Sequence, residues 1–174
     1  MSIDRAVRVT ATLCAAVGMG VVGSGQAIAS DLIPEGSFTM QGADDQKCLT
    51  ELAMNTVGME QCEEGKKSQQ WTRGKMFSDG RFTVKSDGSS KCLVWVVPQG
   101  SSGDDPMYGM ANCAEAARFS VESAGDGKVL IKEPNPDDAS LTTLMVSSRG
   151  FALQEEVKYS NLPANQWRLT AVNP

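Results

Sequence analysis

Three aromatic residues constrain this chain more than any other feature. Trp71, Phe119 and Trp167 stand 48 positions apart, twice over, within 174 residues. Self-similarity at a fixed period marks a repeat architecture, and three such periods account for nearly all of the chain beyond its N-terminal segment. The units also open alike. Glu35-Gly36 precedes Ser37-Phe38-Thr39-Met40, Asp79-Gly80 precedes Arg81-Phe82-Thr83-Val84, and Asp126-Gly127 precedes Lys128-Val129-Leu130-Ile131. An acidic-Gly pair supplies the positive φ that a tight turn into a strand requires. Cys48 and Cys92 each fall twelve residues past that glycine, inside Lys47-Cys48-Leu49 and Lys91-Cys92-Leu93. The third unit has no cysteine there. It offers Leu141, Leu144 and Val146 in a Thr/Ser-rich strand, to be held by packing.

Between these landmarks the chain reads as short strands punctuated by Gly, Asp, Asn and Pro, and no segment holds a 3.6-residue apolar stripe for three turns. The pattern predicts an all-β chain, with Ala111 to Arg118 as a turn. About four strands per repeat are too few to bury a core singly, so the units are expected to close into one barrel with a hairpin cap. The segment from Pro98 to Pro106 reads as a surface loop inserted in the second unit.

The N-terminus has a separate role. Arg5 and Arg8 precede an apolar run from Val9 to Val22, and Ala27-Ile28-Ala29 supplies the small residues of a cleavage site. This is the layout of a secretory signal peptide, too short and glycine-interrupted to span a bilayer. Residues 1–29 are expected to be removed with Cys14, leaving 30–174 as the domain. The expected location is extracellular.

Four cysteines then remain, Cys48, Cys62, Cys92 and Cys113, an even number for an oxidising compartment, which predicts two disulfides. Three connectivities are open. Pairing neighbours in sequence would close separations of 14 and 21 positions, each worth around 3 kcal/mol in the chain-entropy picture. Gaps this wide, without a CxxC, argue against a zinc site.

Composition narrows the chemistry. The chain has no histidine, which removes the usual general base and the commonest zinc ligand, and with them Ser-His-Asp, Cys-His and HExxH mechanisms. No cofactor or metal is expected. A net charge of −5 without a basic run argues against nucleic acid and against insertion into an anionic membrane. Glu155-Glu156, Glu63-Glu64 and Asp104-Asp105 read as solvated turns, because adjacent strand residues face apart and make a poor catalytic pair.

Taken together, these residues resemble the ricin B-chain-like β-trefoil, whose units carry a Lys-Cys-Leu strand, a second cysteine and a closing Gln-x-Trp. The resemblance runs from residue 34 to 172. The first unit has Lys47-Cys48-Leu49, Cys62 and Gln69-Gln70-Trp71. The second keeps Lys91-Cys92-Leu93 and Cys113 but closes with Ala117-Arg118-Phe119, and the third closes with Asn165-Gln166-Trp167. The resemblance implies a β-trefoil of three pseudo-repeats of about 48 residues, degenerate in the second and third. It also implies that Cys48 pairs with Cys62 and Cys92 with Cys113.

Sugar-binding members of that family resemble one another in placing a carboxylate directly after Cys-Leu, where it accepts hydrogen bonds from two sugar hydroxyls. Thr50 and Val94 occupy that place here, and Ser68 stands where such relatives have Asn. Glu51, one residue on, points to the other side of a regular strand unless a bulge re-aims it. The candidate ligand-binding residues are Thr50, Glu51, Ser68, Gln69, Trp95 and Asn165, with the first unit foremost. Gln69 and Asn165 also suit bracing of a local turn, and Trp71, Phe119 and Trp167 suit core anchors. Trp95 shares a strand face with Leu93 and Val97, and with Tyr108 nearby it offers an apolar platform. The expected function is a secreted, non-catalytic, lectin-like carbohydrate-binding module of weak or altered specificity. The alternative is a protein-binding β-trefoil, such as a protease inhibitor or an accessory module, acting through the loop around Ser101.

Overall fold

The computed structural model describes residues 29–96, 107–134, 141–146, 152–156 and 162–172. Residues 1–28 of the expected signal segment 1–29, the loop 98–106 with Ser101, and the side chains of Glu155 and Glu156 lie outside that description. Twelve strands fall into three sets of four. The first unit holds β1 (Ser37–Gly42), β2 (Cys48–Glu51), β3 (Val57–Glu60) and β4 (Trp71–Met76). The second holds β5 (Phe82–Ser86), β6 (Cys92–Val96), β7 (Met107–Ala111) and β8 (Ser120–Gly125). The third holds β9 (Lys128–Pro134), β10 (Leu141–Val146), β11 (Ala152–Glu156) and β12 (Gln166–Ala171).

The first and last strands of each unit close a six-stranded barrel. β1 pairs with β4 and β12, β4 with β5, β8 with β9, and β9 with β12. An antiparallel bridge between Phe82 and Phe119 joins β5 to the start of β8 and completes the ring. The middle strands form three hairpins, β2–β3, β6–β7 and β10–β11, which cap one end. Contacts between Thr56 and Gly109 and between Leu153 and Met107 knit that cap. This is a β-trefoil, and barrel closure leaves few exposed strand edges.

The repeat is visible at the level of atoms. Gly36, Gly80 and Gly127 adopt φ of 74°, 80° and 68°, the left-handed turns anticipated before β1, β5 and β9. Phe38, Phe82 and Val129 follow them into the core, with Met40, Val84 and Ile131 two residues further on. Trp71, Phe119 and Trp167 are each fully buried, worth roughly 3 kcal/mol apiece as apolar burial. The two indoles carry a polar group inward and satisfy it: Trp71 Nε1 donates to Leu49 O at 3.0 Å and Trp167 Nε1 to Leu144 O at 2.8 Å. Phe119 has no such donor, and Leu93 O instead accepts the Ala117 amide at 3.0 Å. Both disulfides lie within their units, Cys48–Cys62 and Cys92–Cys113, with Cα separations of 5.0 and 4.9 Å.

Candidate functional site

In the first unit the Gln-x-Trp residues turn inward. A short 3-10 turn, Lys67–Gln69, delivers the Gln69 amide into the interior behind β2, where it is fully buried. Its Nε2 donates to Thr50 Oγ1 at 3.0 Å and to Gln61 O at 2.8 Å, while its Oε1 accepts the Glu63 amide at 2.8 Å. Thr50 is 1% exposed, and its hydroxyl donates to Cys48 O at 3.0 Å. These two candidate residues meet in the interior, where they brace β2. The physical reason is that a buried amide needs partners for every donor and acceptor, and Thr50 is the one that β2 supplies.

Glu51 does point to the other side of β2. It accepts a 2.5 Å hydrogen bond from Ser86 Oγ and so ties the first unit to the second. Gly88 lets this junction close: a Cβ there would lie 3.2 Å from Glu51 Oε2 and 3.3 Å from the Cα of half-buried Ser68. Asn165, which holds the place of Gln69 in the third unit, is likewise buried at the end of a 3-10 turn, Pro163–Asn165. Thr50, Glu51, Ser68 and Gln69 thus cluster in and around the first unit, whereas Trp95 and Asn165 stand elsewhere.

Trp95 occupies in the second unit the position of Glu51 in the first, three residues past the β-strand cysteine. It packs on the core only in part, edge-on to Tyr108 with ring centroids 5.6 Å apart. Tyr108 is fully buried and contributes no exposed platform, because its hydroxyl is directed at a carboxyl. That carboxyl belongs to Glu133 on β9, the counterpart of Ser86 by its distance from the opening glycine, and Tyr108 donates to Glu133 Oε2. Glu133 is 7% exposed. Burial pushes it up to about 7, against an opposing pull from the Tyr108 hydrogen bond. Burial and the adjacent carboxyl push Tyr108 well above its ordinary range.

Trp95 and Glu133 line one pocket of about 270 Å3 between the second and third units, together with Glu115, Ala116, Ala117, Pro134, Arg118 and Arg81. Both guanidinium groups already have partners. Arg81 is held by Asp79 at 2.5 Å, and Arg118 lies 4.1 Å over the Phe77 ring. The pocket therefore presents an indole, the buried Glu133 carboxyl, the Glu115 side chain and small or apolar residues. Ala116 and Ala117, which line the pocket, stand where the first unit has Ser68 and Gln69. Glu133 was hidden in sequence as a charged residue at a strand end. The alternation Val129, Ile131, Glu133 is the signal that places it on a core-facing row.

Among the described residues no group of three Cys, Asp or Glu side chains is placed to hold a metal ion, and no helix is long and apolar enough to cross a membrane. No family model and no curated protein matches the chain. Solved structures do. A designed threefold-symmetric protein, ThreeFoil, superposes with a TM-score of 0.60 at 19% identity, covering 79% of this chain and 99% of its own. A ricin B-like lectin from Macrolepiota procera, solved in complex with lactose, gives 0.59 at 14% identity, covering 79% and 97%. An exo-β-1,3-galactanase from Clostridium thermocellum gives 0.62 at 16% identity over 80% of this chain, but only 31% of that enzyme is covered. At these identities the likeness establishes the ricin B-like β-trefoil fold.

Proposed function

We propose that the chain is a secreted, non-catalytic carbohydrate-binding module whose saccharide seat is the pocket of Trp95 and Glu133. The observation that carries this reading is the juxtaposition of a partly exposed indole with a buried carboxyl in a pocket of about 270 Å3. An indole offers an apolar face to the C–H side of a pyranose, and a carboxyl accepts hydrogen bonds from its hydroxyls. The volume suits one sugar ring rather than an extended oligosaccharide. Lectin neighbours of the same fold support the ligand class, and two disulfides support an oxidising, extracellular location. With so few polar contacts, a single site should bind no tighter than about millimolar, and multivalency would have to raise the avidity.

A glycan array on the protein comprising residues 30–174, followed by calorimetry of the best hits, tests this. Neutral hexose-terminated glycans should bind, Trp95→Ala should abolish the signal, and Thr50→Ala should leave the affinity unchanged in whatever fraction remains folded. Loss of binding in folded Thr50→Ala with retention in Trp95→Ala would return the site to the first unit.

A further inference from the structure

Lys75, Lys85 and Lys91 are separated in a chain of net charge −5, and no basic run announces them. The fold gathers them. All three line one pocket of about 620 Å3 where β4 of the first unit meets the second unit, bordered by the Cys92–Cys113 disulfide, and no Asp or Glu lines it among the described residues. No basic run shows in the sequence because β4, β5 and the turn before β6 converge only in three dimensions.

The pocket is shaped as well as charged. Gly74 and Thr83 both line it, and a Cβ at position 74 would stand 2.3 Å from Thr83 Oγ1, so glycine lets β4 approach β5 closely along this wall. Thr83 is 2% exposed and accepts the Lys75 amide at 3.0 Å, which fixes the wall. Lys91 Nζ is held by Asn55 Oδ1 at 2.5 Å, and Lys75 Nζ stands 5.1 Å from the Phe77 ring. None of the three lysines forms a salt bridge with a carboxylate of the described residues. The first unit differs at the matching place. Gln41 pairs with Cys48 as Lys85 pairs with Cys92, but its amide reaches Gln46 O at 2.8 Å and Cys62 Sγ at 3.7 Å, closing over the equivalent space.

We propose that this lysine pocket binds a tetrahedral oxyanion ester, a sulfate or phosphate group carried on a sugar. Ammonium groups are compact, rotatable point charges, and several of them around one pocket suit an oxyanion whose charge is spread over three oxygens. Ser90 and Asn112, which also line the pocket, supply hydroxyl and amide groups for the sugar that carries the ester. No lining residue is shared with the Trp95 pocket, so this site stands whether or not that one binds a neutral hexose.

Calorimetry on the Trp95→Ala protein, which removes the neutral-sugar seat, with a sulfated disaccharide, its unsulfated parent, a sugar phosphate and inorganic sulfate tests the assignment. Both esters should bind, more weakly as salt rises, and the unsulfated parent should not bind here. Lys85→Gln, which copies the first unit, and Lys75→Gln should each weaken binding roughly fivefold, and the double variant roughly 25-fold. Their unchanged thermal midpoints would show that folding is intact. Full affinity in a folded double variant, or equal affinity for the unsulfated parent, would overturn the proposal. Inorganic sulfate binding as tightly as the sulfated sugar would overturn its assignment to an ester on a sugar.

Discussion

In the first unit the space behind β2 is filled by Gln69, whose amide is bonded to Thr50, Gln61 and Glu63; in the second, Ala117 and Val94 hold the matching places, and a pocket opens beside Trp95 and Glu133. The same contrast recurs at the two unit junctions. Glu51 is satisfied by Ser86, a short polar pair that closes the contact between units one and two. Trp95 and Glu133 are larger and chemically unmatched, and Tyr108 supplies the hydrogen bond that keeps the carboxyl buried. The intact motif therefore marks a braced interior. The eroded motif lines the pocket beside Trp95.

The largest expected effect comes from removing the brace. Gln69→Ala should cost about 4 kcal/mol in denaturant unfolding, since it leaves the Gln61 carbonyl and the Glu63 amide short of a partner and opens a cavity. A cost under about 1 kcal/mol would show that water replaces the amide and that the two units differ less than their hydrogen bonds imply.

Replacing either disulfide by two alanines should cost around 3 kcal/mol, slightly more for Cys92–Cys113, whose separation of 21 exceeds the 14 of Cys48–Cys62. Equal losses would assign the stabilisation to packing around the sulfurs instead of loop closure.

Next comes pH. Glu133 binds its proton more tightly folded than unfolded, so its contribution favours the native state at acidic pH and is lost as pH rises from the ordinary carboxylate range through about 7. Unfolding free energy should fall between mildly acidic and mildly alkaline buffer by up to ~3 kcal/mol. Glu133→Gln should flatten that fall. Tyr108, which stays protonated throughout, donates to the carboxyl, and Arg81, Arg118 and Glu115 line the same pocket.

The smallest effect separates the anchors. Trp71→Phe imposes on the first unit the residue type of Phe119 and should cost about 1–2 kcal/mol, because Leu49 O loses the indole donor. Trp167→Phe should match it at Leu144 O. If both were neutral, the buried indole bonds would contribute nothing net.

Much of this frame is legible in the linear chain. Aromatic spacing, acidic-Gly turns and the cysteine register are local or periodic, and each reports a position that every unit must fill. The pocket is not periodic. It arises from differences between units, Ala117 against Gln69 and Glu133 against Ser86, and from a junction that brings β6 to β9. Thr50 and Gln69 read as ligand contacts because polar residues near a binding motif suggest a ligand. Their burial follows from the need of one amide for several partners, which only the fold reveals.

The most direct measurement uses the indoles themselves. Trp71 and Trp167 are fully buried and Trp95 is the third tryptophan of the chain, so a saccharide seated beside Trp95 should shift and saturably change intrinsic fluorescence. Titration with a neutral hexose should give a saturable change with a midpoint of about millimolar, lost in Trp95→Phe and weakened in Glu133→Gln. Calorimetric binding with no fluorescence change, or a change that persists in Trp95→Phe, would contradict the placement of the site at the junction of the second and third units.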